Sequence, residues 1–205
     1  MNPAVVLVDP AIISSYIPSD GKDITDTTDW QLGGIGLSDA SAGLEYQDWF
    51  LEVRGVAAAT SVWVSAANTP AVQLFALPNI TWARLAFDQN MHPVVSYVSE
   101  TGPGFYWFDP TIPGNTFTAL PSSVVKPCVT MDDKRALQTL LGKNDVVMCY
   151  VNSGDLCYRL QRDRYLVEYV WYNSINLIIA NPYVNKIGMS EGLRLLIEVR
   201  GALYL

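Results

Sequence analysis

The sequence predicts a mainly β chain of repeated antiparallel sheets, propeller-blade-like, arranged as a partial propeller or a β-sandwich behind an extended N-terminal arm. Three observations predict this. Two stretches share one local pattern, prolines interrupt the middle of the chain too often for long helices, and the runs between them are rich in β-branched and aromatic residues. The first copy of the pattern is the strand pair Ala83 to Val98 followed by the aromatic strand Phe105-Tyr-Trp-Phe-Asp-Pro110. The second runs through Pro127-Cys-Val-Thr-Met-Asp-Asp133, Asp145-Val-Val-Met-Cys-Tyr-Val151 and Asp155-Leu-Cys-Tyr-Arg-Leu160. Placing Phe87-Asp88 on Met131-Asp132 brings Val95-Ser-Tyr-Val98 onto Met148-Cys-Tyr-Val151, with roughly nine extra residues in the second copy around Lys134 to Lys143.

Residues 1–45 differ from the rest. The apolar runs Ala4 to Val8 and Ile12 to Ile17 are followed by Ser19-Asp-Gly-Lys-Asp-Ile-Thr-Asp-Thr-Thr-Asp29 and a stretch of small residues, a composition that buries too little apolar surface to fold alone. This segment is expected to be an arm or loop ordered against a neighbour. Residues 46–205 are expected to form the β domain, with the two blade-like repeats at about 83–121 and 127–172. Within it, Asp48-Trp-Phe-Leu-Glu-Val-Arg54 and Thr60-Ser-Val-Trp-Val-Ser65 read as strands bounded by small residues. Asp133 to Leu141 is compatible with a short helix capped by Gly142 or with an exposed loop. Arg162 to Tyr172 alternates as a strand with both faces at least partly covered.

Two finer relations concern pairing. A three-residue hairpin loop at Asn152-Ser153-Gly154 would set Val151 against Asp155 and Cys149 opposite Cys157. Packing of two small apolar residues is favoured over oxidation there, because three sparse cysteines do not resemble a secreted disulfide framework. Leu51-Glu-Val-Arg-Gly55 recurs as Ile197-Glu-Val-Arg-Gly201, which suggests equivalent strands, either neighbours that close the sheet or edges that pair with other subunits.

Composition narrows the function. Half of the 205 residues are hydrophobic and only 16% are charged, as expected of a surface partly covered by other subunits. A net charge of −7 disfavours direct binding to a phosphate backbone. No secretion signal and no membrane-spanning stretch is evident, so synthesis and assembly in the cytoplasm are expected.

No catalytic, cofactor-binding or metal site is predicted. His92 is the single histidine and reads as a turn residue, and no Gly-x-Ser-x-Gly elbow offers it a nucleophile. Asp20, Asp23, Asp26 and Asp29 recur every third residue without the spacing of a calcium loop and read as a solvated acidic loop. Gly33, Gly34 and Gly36 lack the Lys and Ser/Thr of a phosphate loop and read as flexible backbone. Among the carboxylates, Asp88, Asp109, Asp132 and Glu168 are the candidates for glycoside hydrolysis, and Asp88 and Asp132 fit turn caps better. Tyr106, Trp107 and Phe108 could stack on sugars but suit a core or an interface better.

The segment from about Trp82 to the C-terminus resembles a group of small β-rich virion structural proteins found with the tail genes of short-tailed bacteriophages. The likeness rests on Leu85-Ala-Phe-Asp-Gln-Asn90, Val94-Val-Ser-Tyr-Val98, Phe105 to Pro110, Met131-Asp-Asp-Lys-Arg135 and the run Asn144 to Tyr165 ending in Gln161-Arg-Asp-Arg-Tyr165. The resemblance implies a structural tail component with no catalytic residues to carry over; the incomplete blade count, the low charge and the N-terminal arm extend this to a non-enzymatic accessory or adaptor subunit, without cofactors, attaching a fibre or nozzle to the tail hub. It would be a homo-oligomer in a ring, assembled in the host cytoplasm and located in the virion. A capsid decoration protein and a carbohydrate-binding or carbohydrate-cleaving module are the alternatives.

Overall fold

A computed structural model describes residues 4–7, 29–37, 46–56, 58–66, 70–88, 92–112, 114–131, 146–189 and 195–203. The described strands are β1 (Ala4–Leu7), β2 (Asp29–Leu37), β3 (Tyr46–Val56), β4 (Ala59–Ala66), β5 (Val72–Leu77), β6 (Trp82–Phe87), β7 (Pro93–Ser99) and β8 (Gly102–Phe108). They continue as β9 (Asn115–Ala119), β10 (Cys128–Met131), β11 (Val146–Asn152), β12 (Asp155–Leu160), β13 (Tyr169–Tyr172), β14 (Ile179–Met189) and β15 (Leu195–Leu203). The chain is mainly β.

The strands form four sheets. Sheet I has the order β2-β3-β4-β5, sheet II β6-β7-β8-β9 and sheet III β10-β11-β12-β13, each an antiparallel meander of chain neighbours. Sheet IV has the order β1-β15-β14, in which β14 and β15 are antiparallel and β1 joins β15 in parallel. Sheets II and III thus run Trp82–Ala119 and Cys128–Tyr172, over the two repeated segments, and sheets I and IV flank them.

Alternation along the strands explains how the sheets stack. In β6, Ala83, Leu85 and Phe87 join Leu51, Val53, Val62, Val64 and Phe75 of sheet I in one core. Ala86, Val94, Phe105 and Trp107 turn to the other face of sheet II and meet Val146, Met148, Tyr150 and Cys157 of sheet III. Val147, Cys149, Val151 and Leu156 occupy the far face of sheet III and pack on Ile179, Val184, Ile197 and Val199 of sheet IV. Sheets II and III are therefore covered on both faces, which is why β6, Arg84 included, and most of β11 are buried at successive positions. Each large apolar side chain buried in these three layers contributes about 1.5–3 kcal/mol. One end strand of each sheet lies against that of the next, β2 on β6, β6 on β10 and β10 on β14.

Several sequence expectations are corrected. The β11–β12 hairpin has a two-residue turn, with Ser153 at φ 51° and Gly154 at φ 93°, so Asn152 pairs with Asp155 and Val151 with Leu156. That one-residue slip puts Cys149 opposite Tyr158 and Cys157 opposite Tyr150, on opposite faces of sheet III. No strand covers Arg162 to Tyr172. A 3-10 turn at Gln161–Asp163 leads to Arg164 and Tyr165 at φ 53° and 56°, and only Tyr169–Tyr172 is extended. The turn swings Tyr165 into the core beside Phe105 and Trp107, with ring centroids 4.7 and 5.0 Å away.

The repeated Leu/Ile-Glu-Val-Arg-Gly segments fall on β3 and β15. Neither is an edge and they do not pair with each other; each is an inner strand beside the first strand of its sheet. The segment expected as an arm supplies β1 and β2, both paired within this chain, and its residues 8–28 and 38–45 lie outside the described residues. Gly33, Gly34 and Gly36 are strand residues of β2, paired with Phe50, Trp49 and Gln47. The stretch Asp133 to Leu141, with Asp132, lies outside the described residues, as do Asp20, Asp23 and Asp26.

Candidate interaction surface

Among the described residues, the candidate side chains Asp88, His92, Asp109 and Glu168 are engaged within the protein. Asp88 Oδ1 accepts the His92 backbone N–H at 2.8 Å, and its Oδ2 lies 3.0 Å from His92 Nδ1 and accepts from Gln161 Nε2 at 3.1 Å. The His92 ring stacks on Phe108 at 4.1 Å. This pair closes the β6–β7 connection and ties it to the turn after β12. Asp109 caps its own turn through Thr111 and takes a hydrogen bond from Arg164 at 2.7 Å. Both aspartates join sheet II to sheet III.

Glu168 is held between the same elements. Its carboxylate accepts from the Tyr150 hydroxyl at 2.6 Å and from Asn152 Nδ2 at 3.0 Å, and Arg159 Nη2 lies 3.4 Å away. Partial burial works to raise its pKa, but these donors outweigh it and hold the carboxyl below the usual value. Tyr150 is pushed far up by burial first and by Glu168 second. Tyr106 and Trp107 are buried rather than exposed, at 6% and 2% accessibility, with the Trp107 indole N–H on Thr118 Oγ1 at 3.1 Å, so they offer no flat surface to a sugar. The strand alternation that turns Phe105 and Trp107 into the core between sheets II and III turns Tyr106 into the other core.

A second polar cluster sits where β6, β10 and β14 converge. The Arg84 guanidinium stacks on Trp82 at 4.0 Å and donates to the Asn185 carbonyl, while Lys126 Nζ lies 5.0 Å from the Trp82 ring and 4.5 Å from Tyr183. Glu198 Oε1 accepts from Asn185 and Arg200. Among the described residues no group of three or more His, Cys, Asp or Glu is placed to hold a metal ion, and no helix is long and apolar enough to cross a membrane.

Sheet III presents a different kind of surface. Its last strand, β13, has no partner on its outer side among the described residues, and its backbone N–H and C=O groups there are open to a further strand. Six of the ten exposed large apolar side chains of the described residues lie between Leu166 and Ile178, where Leu166 is 73% and Leu177 76% accessible, joined by Val167, Val170, Tyr172 and Ile178. The outer strands β5 and β9 expose one such residue each, Val72 and Phe117, and Phe117 leans edge-on against Phe75. On the inner side of β13, Tyr158 is stacked between Tyr169 and Trp171 at 5.0 and 4.1 Å, which fixes the strand in place.

Sequence reasoning assigned covered faces to this stretch because its alternation is apolar on both sides. The usable signal was charge: no charged side chain occurs from Tyr169 to Asn185. A rigid, uncharged, apolar sheet edge can accept an extended segment by backbone pairing, with side-chain pockets setting specificity. Comparison with protein-family models, with curated proteins and with solved structures returns no match to this chain.

Proposed function

We propose that the protein is a non-enzymatic structural subunit of a short-tailed bacteriophage tail, an accessory or adaptor piece that holds a fibre or nozzle component on the tail hub. In this reading the four sheets are blades of a propeller whose inner strands are β2, β6, β10 and β14, and the N-terminal strand β1 fastens the last blade. The sequence-stretch likeness from Trp82 onward motivates the tail assignment. The observation that carries the scaffold role is the contrast between the two kinds of polar and apolar surface. Asp88, Asp109 and Glu168 are engaged in bonds that join sheets, while the outer edge at β13 is apolar and open. A scaffold uses its polar groups to stay rigid and its edges to assemble. The subunits form a ring, since head-to-tail contacts between identical chains close into rings when the rotation permits.

Mass spectrometry of purified particles, before and after tails are separated from heads, tests this. Enrichment in the tail fraction at the copy number of a ring component is expected. Recovery with the heads would move the assignment to capsid decoration, and absence from particles would overturn the virion reading.

A further inference from the structure

We infer that the ring closes by strand addition between copies, with the outer edge of β13 in one copy pairing with the outer edge of β1 in the next. This rests on the ring reading above and names its contact. Both strands are four residues long, both end their sheets among the described residues, and neither contains a charged residue: β13 is Tyr-Val-Trp-Tyr and β1 is Ala-Val-Val-Leu. An open strand edge is completed only by another strand, because its alternating N–H and C=O groups need partners at strand spacing. A single head-to-tail contact satisfies the β13 edge and the β1 edge of every copy. A two-fold contact of β13 with itself would leave each β1 edge open.

Charge and area favour a second copy as the occupant. Two chains of net charge −7 repel unless they meet at an uncharged surface, and the stretch from Tyr169 to Asn185 has no charged side chain. The carboxylates around it are engaged within the chain: Glu168 pairs with Arg159, Asp163 accepts from the Tyr169 hydroxyl and Asp155 from the Ser174 backbone N–H. The six exposed apolar side chains from Leu166 to Ile178 present on the order of 500 Å². That is more than half of the roughly 800 Å² per partner in a stable interface. Sheet IV has three described strands where the others have four, so a strand of the neighbour beside β1 extends the shortest sheet. Since the two edges differ, the contact is heterologous and propagates until the rotation closes it.

The test uses full-length chains carrying one new cysteine. Val170→Cys protein is mixed with Val5→Cys or Val6→Cys protein, oxidised mildly, and read on non-reducing gels with mass spectrometry of the linked peptides. The expected result is a cross-linked dimer in at least one mixture and in neither single population. Efficient Val170→Cys homodimers without mixed product would overturn the head-to-tail pairing in favour of a two-fold one. Absence of any cross-link, together with a 22.6 kDa monomer in solution mass measurement, would overturn the contact altogether. As a second variant, Val170→Lys with Tyr172→Lys is expected to weaken association at least tenfold with an unchanged circular dichroism spectrum, because both side chains are exposed. An assembly that forms through this contact while the chain is missing from virions would leave the inference standing and remove the tail assignment.

Discussion

Arg164 Nη2 donates to Asp109 Oδ2 at 2.7 Å, joining the left-handed turn after β12 to the loop after β8 and thereby sheet III to sheet II. Burial works to raise the Asp109 pKa, but the hydrogen bonds from Arg164 and Thr111 outweigh it and hold the carboxyl below its ordinary value. A lowered folded-state pKa gives stability that is present above the unfolded pKa and lost as pH falls through the folded one. Asp109→Asn is therefore expected to lower the urea midpoint at pH 7, with the difference from wild type shrinking below about pH 4. Parallel denaturation curves at pH 7, 5 and 3 check this. A difference that stays constant with pH would mean that Asp109 acts through its shape and not its charge.

The three cysteines are all free and buried, and the two that face each other across a strand pair are Cys128 and Cys149, not Cys149 and Cys157. Burial pushes Cys128 up to about 11 and Cys157 up to about 12, and raises Cys149 well above its ordinary value. Native thiols are expected to react with a thiol-specific reagent at pH 8 only as fast as the chain unfolds, with all three titrating in denaturant. The raised values also predict alkaline lability. The folded state keeps protons that the unfolded thiols release above about pH 9, so stability is full below pH 9 and falls as pH rises toward the folded values. Tyr97, Tyr106 and Tyr150, raised by burial, add to the same slope from pH 10 upward.

The β class and the strands around residues 83–160 were legible because alternation, prolines and turn residues all act locally. The turn details were not. Whether Asn152-Ser-Gly154 makes a loop of two residues or three depends on Ser153 accepting a left-handed backbone, a preference too weak in sequence to set register, yet it decides which face each cysteine takes. Arg162 to Tyr172 misled for a similar reason. Its period-two pattern fits a strand, but the core between sheets II and III has room for the Tyr165 ring, and filling it outweighs the strain of two left-handed residues. The β13 surface was hidden because apolar residues read as buried wherever they occur, and only the stacking order of the sheets reveals which edge remains outside.

Trp107 is the anchor of that middle core, edge-on to Tyr165 at 5.0 Å and near Phe105 at 6.4 Å. Trp107→Ala is expected to destabilise the protein by about 3–5 kcal/mol through lost burial and the cavity left behind. Equilibrium urea denaturation measures the loss, and a glycan array run on the folded wild type provides the control. Glycan binding that vanishes in Trp107→Ala with unchanged stability would restore the carbohydrate reading.

The two Glu-Val-Arg-Gly segments end in glycines that have different reasons to be glycine, and the difference can be measured. Gly55 has φ +104° and a Cβ there would come 2.2 Å from the Ala59 carbonyl oxygen, in the backbone of the β3–β4 turn. At Gly201 the backbone is ordinary, but a Cβ would meet Ile179 Cγ2 at 2.3 Å and the Ala180 carbonyl oxygen at 2.5 Å. In both strands the residues before the glycine repeat one arrangement, with Arg54 paired to Glu52 and Arg200 to Glu198. Gly55→Ala combines backbone strain with a clash against main chain and is expected to cost about 2–4 kcal/mol. Gly201→Ala meets one side chain that can turn aside and one oxygen that cannot, and is expected to cost about 1–3 kcal/mol. Adding Ile179→Ala to Gly201→Ala removes the movable obstacle. Since Ile179 is itself buried in the core against sheet III, the double variant should lose less stability than the sum of the two single changes, by roughly 0.5–1 kcal/mol of coupling. Strict additivity in urea denaturation would show that the Ala180 carbonyl alone excludes a side chain at Gly201.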